Sequence, residues 1–500
     1  MSTVAADSAS RSGLWKGSTD TAVPSRMRSV DAARCASSPR LSPVMPCLAK
    51  WCSVSQTESK PMRSAWTACA SDSWMRSRAS VPSGHWTVWK RPNFMRVPLA
   101  ASASADIRTT GLRNAMRAWE HRRMTPANRQ TPVRGGRLPA ERLRAQRLLD
   151  PTDATPAEVV ADLLAVQAQD GLATKWAVGL RTPRGASTET LIDEALAAGA
   201  ILRTHVMRWT WQLITPADVR WMLALVAPRL VAGAAGRDRE LELDAKTYRK
   251  VNAALDRAMR DGAHLTRAEI VEVLERAKVS PEGQRLSYIL GHAELAGVIT
   301  SGVTRGKQTT HAHLGLRAPD ARSPMPREEA LAEAALRYFR SRGPATDADF
   351  AWWIGLSLTD ARAGLAAVRD QLVFEEVEVA GKCVTMWRGH TSTAPMTTPD
   401  AHLLPAFDEY LVAYKDRSDV LAPEHTRHHN AGGGLLAPTV VVDGRVVGTW
   451  RRMLARDAVE VTATLFAPVT KTQQTAIERA AKRYAAFLDR PLALTVDVLA

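Results

Sequence analysis

The sequence predicts an α+β fold of three tandem helix–helix–hairpin units followed by a β-rich module, and three observations predict it. First, a Thr-x-x-acid pattern opens an apolar helical run three times, at Thr155/Glu158 in "ATPAEVVADLLAVQAQ", at Thr266/Glu269 in "LTRAEIVEVLERAKV" and at Thr346/Asp349 in "ATDADFAWWIGLSLTD". In such a box the Thr caps the helix and the acid reaches back to the backbone N–H of the cap, so three helix starts share one grammar. Second, each start leads into another helical run and then an alternating, extended stretch. These are "STETLIDEALAAGA" into "ILRTHVMRWTWQLIT", "GQRLSYILGHAELAGV" into "ITSGVTRGKQTTHAHL", and "TDARAGLAAVRDQL" into "VFEEVEVAGKCVTMW". Third, beyond about residue 400 the pattern changes to strands. "APTVVVDGRVVGTWRRM" is a hairpin turning at Asp443-Gly444, "AVEVTATLFAP" is another strand, and "KTQQTAIERAAKRYAAFL" is an amphipathic helix before a last strand.

Helix, turn, helix and hairpin in that order is the winged-helix plan, in which the second helix can enter a DNA major groove and the hairpin touches the flank. The expected organisation is winged helices at 137–232, 233–322 and 323–395 and a β-rich module at 396–500, after a segment 1–136 with no packed structure. Gly302 and Gly381 mark the expected hairpin turns of the second and third units. The apolar run after Thr155 is expected to continue as a helix to Gln167 and Gln169, with Asp170-Gly171 as its stop. Treated as one strand, "ILRTHVMRWTWQLI" places Arg203, His205, Met207, Trp209 and Trp211 on one face.

Charge separates the chain into two parts. Residues 1–136 hold 21 Lys and Arg against 7 Asp and Glu, which is nearly all of the formal +16; the rest has 46 against 44. The high isoelectric point is therefore no argument that the folded part binds nucleic acid. The first segment also holds Cys35, Cys47, Cys52 and Cys69 and seven of fifteen tryptophans, without helical or strand periodicity. It fits neither a secretory nor a mitochondrial leader, and translation from Met116 or Met124 is the reading that best accounts for it. Cys383 then stands alone, which suits a reducing cytoplasm and excludes a disulfide framework. No uninterrupted run of eighteen apolar residues occurs, so no membrane span is expected. The histidines of "EHTRHHN" and "HAH" lack zinc-ligand spacing, so no metal or other cofactor is expected. Adjacent Asp408 and Glu409 in "AFDEY" diverge on any regular element, which argues against a hydrolytic carboxylate pair.

"AVQAQDGLATKWAVGLR", "RTHVMRWTWQLITPADVRWML", "SYILGHAELAGVITSG", "LLPAFDEYLVAYKDRS" and "VVVDGRVVGTWRR" together resemble, in order and spacing, the winged-helix family of bacterial AlkZ-like and YcaQ-like DNA glycosylases. The resemblance runs from Leu138 to the C-terminus. It implies three winged helices and a β-barrel-like module forming a C-shaped clamp on double-stranded, damaged DNA, in a monomer of the cytoplasm and nucleoid. The family's catalytic signature is Gln-x-Gln in AlkZ-like members and Gln-x-Asp in YcaQ-like ones. Here it stands as Gln167-Ala168-Gln169, which implies a catalytic role for Gln167 and Gln169. Thr204 and His205 resemble hairpin residues near that signature and are candidate DNA contacts. Arg203 and Arg208 are candidate phosphate contacts by charge, and "YKDRS" adds Lys415 and Arg417.

The chemistry explains how amides can suffice. A purine alkylated at N7 or N3, even by a bulky or cross-linking group, already carries positive charge and departs without a strong acid. What remains is to steady an oxocarbenium-like sugar and place a water, which a carbonyl dipole can do although it is no base at neutral pH. The expected activity is a monofunctional glycosylase using water. By residues alone, three alternatives stay open: glutamines that only bond backbone at a helix end, a non-catalytic DNA-binding regulator or architectural protein, and an interaction protein with no nucleic-acid role, which the near-neutral folded part allows.

Overall fold

The computed structural model describes residues 133–134, 137–149, 151, 153–185, 187–379, 381–390, 399–432 and 435–499. The segment expected to lack structure thus lies outside the described residues, except for strand β1 (Val133–Arg134), which pairs in parallel with Val377 and Glu378.

After α1 (Leu138–Ala145), helix α2 (Pro156–Leu163) begins on the expected box, with Thr155 accepting from the Glu158 N–H and Glu158 accepting from the Thr155 N–H. It stops before the glutamines, because Leu164 turns to φ +63° and breaks the helical path. Strand β2 (Val166–Gln167), helices α3 (Gly171–Gly179) and α4 (Glu189–Ala198), and strands β3 (Leu202–Met207) and β4 (Thr210–Ile214) follow, with sheet order β2-β4-β3. Asp170-Gly171 is therefore a start and not a stop: Asp170 caps α3 by accepting from the Ala173 N–H at 3.0 Å.

Helix α5 (Pro216–Glu240) and helix α6 (Ala245–Met259) lead to the second unit. There, β5 (Leu265–Thr266), α7 (Arg267–Arg276), α8 (Arg285–Leu295), β6 (Ile299–Ser301) and β7 (Thr310–His313) form a sheet of order β5-β7-β6 with its two helices. The third comprises α9 (Arg327–Arg342), α10 (Asp347–Ile354), α11 (Leu358–Val368), β8 (Val373–Val379) and β9 (Lys382–Arg388), the hairpin joined by β1 and by a bridge from Ala345 to Trp387. In the second and third units the capping Thr stands directly after the first extended segment. In the first unit that place belongs to Asp170, one helix after the Thr155 box. Gly302 follows β6 directly, where an added Cβ would meet Thr310 Oγ1 at 2.5 Å; the turn falls instead at Gly306, φ +59°.

The C-terminal part contains β10 (Ala401–Leu404), β11 (Asn430–Gly432), β12 (Leu435–Leu436), β13 (Thr439–Val442), β14 (Arg445–Leu454), β15 (Val459–Leu465), α12 (Lys471–Phe487) and β16 (Leu492–Val498). Its main sheet has the order β10-β13-β14-β15-β16 and stays open, with β10 and β16 as edges, so the barrel-like closure is not formed. The Asp443-Gly444 turn is as expected, both residues at positive φ. This sheet shares its core with the first unit. Trp176 of α3 donates to Leu403 O at 2.7 Å and packs edge-on against Tyr484 of α12, while Gly179 lies so close to Phe487 that a Cβ would sit 2.6 Å from the ring.

Helix α5 is long and apolar enough over eighteen residues to cross a bilayer by length and composition. Its first half instead buries Val219, Trp221, Met222, Leu225 and Val226 in protein, and its last turn carries Arg237, Asp238, Arg239 and Glu240.

Candidate active site

Gln167 ends a strand, and this changes the geometry expected of the pair. Positions i and i+2 diverge by about 200° on a helix but return to the same side of an extended chain. The extended pairing continues one residue past β2, since the Ala168 N–H donates to Trp211 O at 2.8 Å. Ala168 points into the core, Gln167 is 9% exposed, and Gln169 is half-buried. Both side-chain carbonyls are pinned: Arg208 Nη2 donates to Gln167 Oε1 at 2.8 Å, and the Trp211 N–H donates to Gln169 Oε1 at 2.9 Å. Because both partners are donors, they settle which end of each amide is oxygen. The Nε2 groups have no partner among the described residues, and each oxygen keeps a second lone pair.

Distant parts of the chain hold this strand in place. Arg342 of α9 donates to Leu163 O and Ala165 O, each at 2.8 Å, and to Glu409 Oε2 at 2.7 Å; Glu409 Oε1 accepts the Gln167 backbone N–H at 3.0 Å. Trp353 Nε1 also donates to Glu409 Oε2, at 2.9 Å. Neighbouring Asp408 takes Arg181 through both carboxylate oxygens, at 2.9 and 2.8 Å. The two carboxylates of "AFDEY" are thus fully buried anchors. They steady the site and touch no solvent.

"ILRTHVMRWTWQLI" forms the hairpin expected of the first unit, but a turn divides it, so the faces read for one continuous strand do not hold. Its turn is Arg208-Trp209, with φ of +51° and +58°, as a two-residue hairpin demands. One face carries Thr204, Gln212 and Gln167 in register across the three strands; the other carries Arg203, His205 and Trp211. Trp209 lies at the tip, so the expected five-residue face is divided by the turn.

The predicted contact residues meet different fates. Thr204 is 1% exposed, so its side chain does not reach the surface. Arg203 donates to Ala168 O at 2.9 Å and lies 4.2 Å over the Trp211 ring; burial pulls its guanidinium down to about 10 against the opposing pull of Glu294 and Asp170. Arg208 is spent on Gln167 and on Trp353 O, and burial lowers its pKa too. Arg417 is half-buried and donates to Leu411 O at 2.6 Å. Lys415 is exposed and offers its ammonium to solvent.

His205 has a partner that residue spacing gave no means of finding. Its Nδ1 lies 2.5 Å from Glu294 Oε2 on α8, and its backbone N–H donates to the same oxygen at 2.8 Å. His311 Nε2 approaches Glu294 Oε1 at 3.5 Å. Burial works to raise the Glu294 pKa, but the two histidines win and hold the carboxyl well below the usual carboxylate range. With Nδ1 committed to Glu294, the free edge of His205 is Nε2. Trp209 packs on Tyr288 and His292 of α8, so the hairpin tip is seated against the second unit. The only advance signal for Glu294 was its place in the quoted segment "SYILGHAELAGVITSG".

That packing excludes a groove-entering role for α8, whose residues Leu286 and Tyr288 to Leu295 are all buried. The matching helix of the first unit, α4, exposes Asp193 and Glu194 beside half-buried Glu189, and Lys175 neutralises Glu189 and Asp193. Among the described residues no three His, Cys, Asp or Glu side chains converge as metal ligands would. His313 faces Asp256 at 3.1 Å, and His429 Nδ1 faces Ala437 O at 3.2 Å.

A family model described as DNA glycosylase AlkZ-like matches residues 160–487. The chain is 29% identical over 325 residues to the interstrand DNA cross-link repair glycosylase of Streptomyces sahachiroi, covering 62% of this chain and 86% of that protein. The solved structure of the Streptomyces sahachiroi DNA glycosylase AlkZ superposes with a TM-score of 0.63 at 25% identity, over 74% of this chain and 100% of that one. This chain belongs to the AlkZ-like family of DNA glycosylases, enzymes that hydrolyse the N-glycosidic bond.

Proposed function

We propose that this protein is a monofunctional DNA glycosylase that removes purines alkylated at N7 or N3 from double-stranded DNA, including bulky or cross-linked ones. The observation that carries the reading is the pair Gln167 and Gln169, held on one extended segment with oxygens oriented by Arg208 and the Trp211 N–H. Cross-link repair, for which the Streptomyces relative is named, supports the bulky end of the substrate range. The three strand–helix–helix–hairpin units are read as winged helices with the limits 137–232, 233–322 and 323–395, acting as a monomer on DNA in the cytoplasm.

In this mechanism the C1′–N bond breaks first, and its electron pair neutralises the cationic base. The remaining lone pairs of Gln167 and Gln169 Oε1 turn toward the sugar cation and accept a hydrogen bond from the attacking water. Water oxygen forms the new C1′–O bond, and its proton leaves to solvent, since an amide cannot keep it. Orientation by fixed donors means no reorganisation is needed as charge develops. The free Nε2 groups donate to the departing base or the backbone. His205, oriented by Glu294, directs Nε2 to the sugar-phosphate.

The test incubates the protein with duplexes bearing N7-methylguanine, an N3-alkyladenine or an N7-linked interstrand cross-link and measures released base or unhooked strand. Release from any of them is expected. Tight duplex binding without release from all three favours the non-catalytic reading.

A further inference from the structure

Three of the four arginines and lysines expected on the DNA are tied to the protein, yet one helix outside the site carries an unspent basic face. Helix α6 sits ahead of the second unit. Its apolar side is Tyr248, Val251, Leu255 and Met259, which pack on that unit's core. At about 100° per residue, Lys246, Arg249, Lys250 and Arg257 fall on the opposite side within a stripe about 100° wide, and Arg260 extends it one turn further. All five are exposed. Arg260 pairs with Asp256, whereas the other four have no ion pair or hydrogen-bonded partner among the described residues. From Lys246 to Arg260 the helix rises roughly 21 Å, a length that spans several successive phosphates of one DNA strand. In a folded part whose charges nearly balance, this concentration is not an average surface.

We propose that the outer face of α6 docks on the phosphate backbone of duplex DNA flanking the lesion. Cations at fixed helical spacing neutralise phosphates and release counterions without reading bases, which suits an enzyme that must find a lesion in any sequence. From the inner side of the helix, Tyr248 links α6 to the hairpin: its hydroxyl donates to Asp238 at 2.7 Å and its ring stacks on His292, against which Trp209 packs. The docking helix and the hairpin tip thereby form one continuous body. This inference rests on the protein being a DNA-acting enzyme but not on the chemistry assigned to the glutamines.

The experiment measures binding of the full chain to an undamaged 30-base-pair duplex at several salt concentrations. A quadruple variant, K246Q/R249Q/K250Q/R257Q, is compared with R249K/R257K, which keeps the charge. The quadruple variant should bind at least 10-fold more weakly at 100 mM salt, with a log–log salt slope shallower by roughly 0.9 for each phosphate no longer neutralised; the charge-conserving variant should match wild type. Thermal melting at the wild-type temperature confirms that the variant folds, and should it not, K246E/K250E supplies the same test. Wild-type affinity and slope in a folded variant overturn the proposal, as does loss of binding to phosphatidylglycerol vesicles with duplex binding intact. Duplex binding that depends on this face in a protein that releases no base leaves docking standing and removes only the glycosylase reading. A wild-type protein that binds no duplex overturns both.

Discussion

At the scale of single residues, the amide pair is the sharpest place to intervene. Gln167→Ala and Gln169→Ala should each slow base release by roughly 10- to 1000-fold, the range for losing one preorganised polar group, while duplex affinity stays near wild type. Gln169→Asp should retain part of the rate, because a carboxylate oxygen can still accept the Trp211 N–H. If both alanine variants release base at the wild-type rate, the glutamines are structural. Melting curves separate the two roles, since a glutamine that only satisfies backbone would lower stability and binding together. His429 gives a second residue-scale prediction. Burial, then the nearby Arg417, pushes its pKa down to about 4 from the ordinary 6.5, and its Nε2 is buried without a partner among the described residues. The unfolded chain therefore takes up a proton that the folded chain refuses. Stability is fully present above pH 6.5, falls as pH drops toward 4, and the loss is on the order of 3 kcal/mol. His429→Leu should flatten denaturant-derived stability across that window; an unchanged pH profile would show that the imidazole protonates in place.

At the scale of elements, local rules worked where the interaction is local. All three Thr-x-x-acid boxes form, and a fourth box at Thr470 and Gln473 opens α12. Thr266→Ala should cost about 1 kcal/mol, the usual worth of an N-cap, and Thr266→Ser should restore it; equal melting temperatures for wild type and the alanine variant would dismiss the cap's importance. The turn of the first unit's hairpin was hidden for the converse reason. Two-residue turns advertise themselves through Asn-Gly or Asp-Gly, as Asp443-Gly444 does, but Arg208 and Trp209 take positive φ without that signal. Their side chains offset the strain, one by orienting Gln167 and the other by packing on Tyr288 and His292. Helix α2 ended early for a comparable reason. Nothing between Leu163 and Gln167 is a helix breaker, and the departure at Leu164 is held by Arg342 on the Leu163 and Ala165 carbonyls.

At the scale of the whole molecule, the site is an assembly of segments far apart in sequence. Glu409 and Arg342 are both fully buried, and breaking such a pair leaves one uncompensated buried charge. Arg342→Met should therefore cost about 3–5 kcal/mol and disorder the glutamine strand, lowering the base-release rate as well. The double variant R342M/E409Q should be less destabilised than the sum of the singles, as expected for residues in direct contact. Urea melts check this, and additive losses would show that the pair is not coupled.

What the sequence determined by itself follows from interactions that close within a few residues. Capping boxes, amphipathic periods, the Asp443-Gly444 turn and the uneven charge are of this kind, and they suffice for an α+β chain of three related units with a strand-rich end. The glutamine signature and its family were legible as well, because an ordered set of short segments is a one-dimensional property. Only the tertiary structure decided that Gln167 lies on a strand, that Glu294 orients His205, that Thr204 is buried and that Arg203, Arg208 and Arg417 serve the protein. It also decided that the C-terminal sheet stays open and shares a core with the first unit. Most of these depend on a partner tens to hundreds of residues away, whose charge or carbonyl outweighs the local preference. Such a partner becomes visible only once the chain has folded and water has been excluded between them.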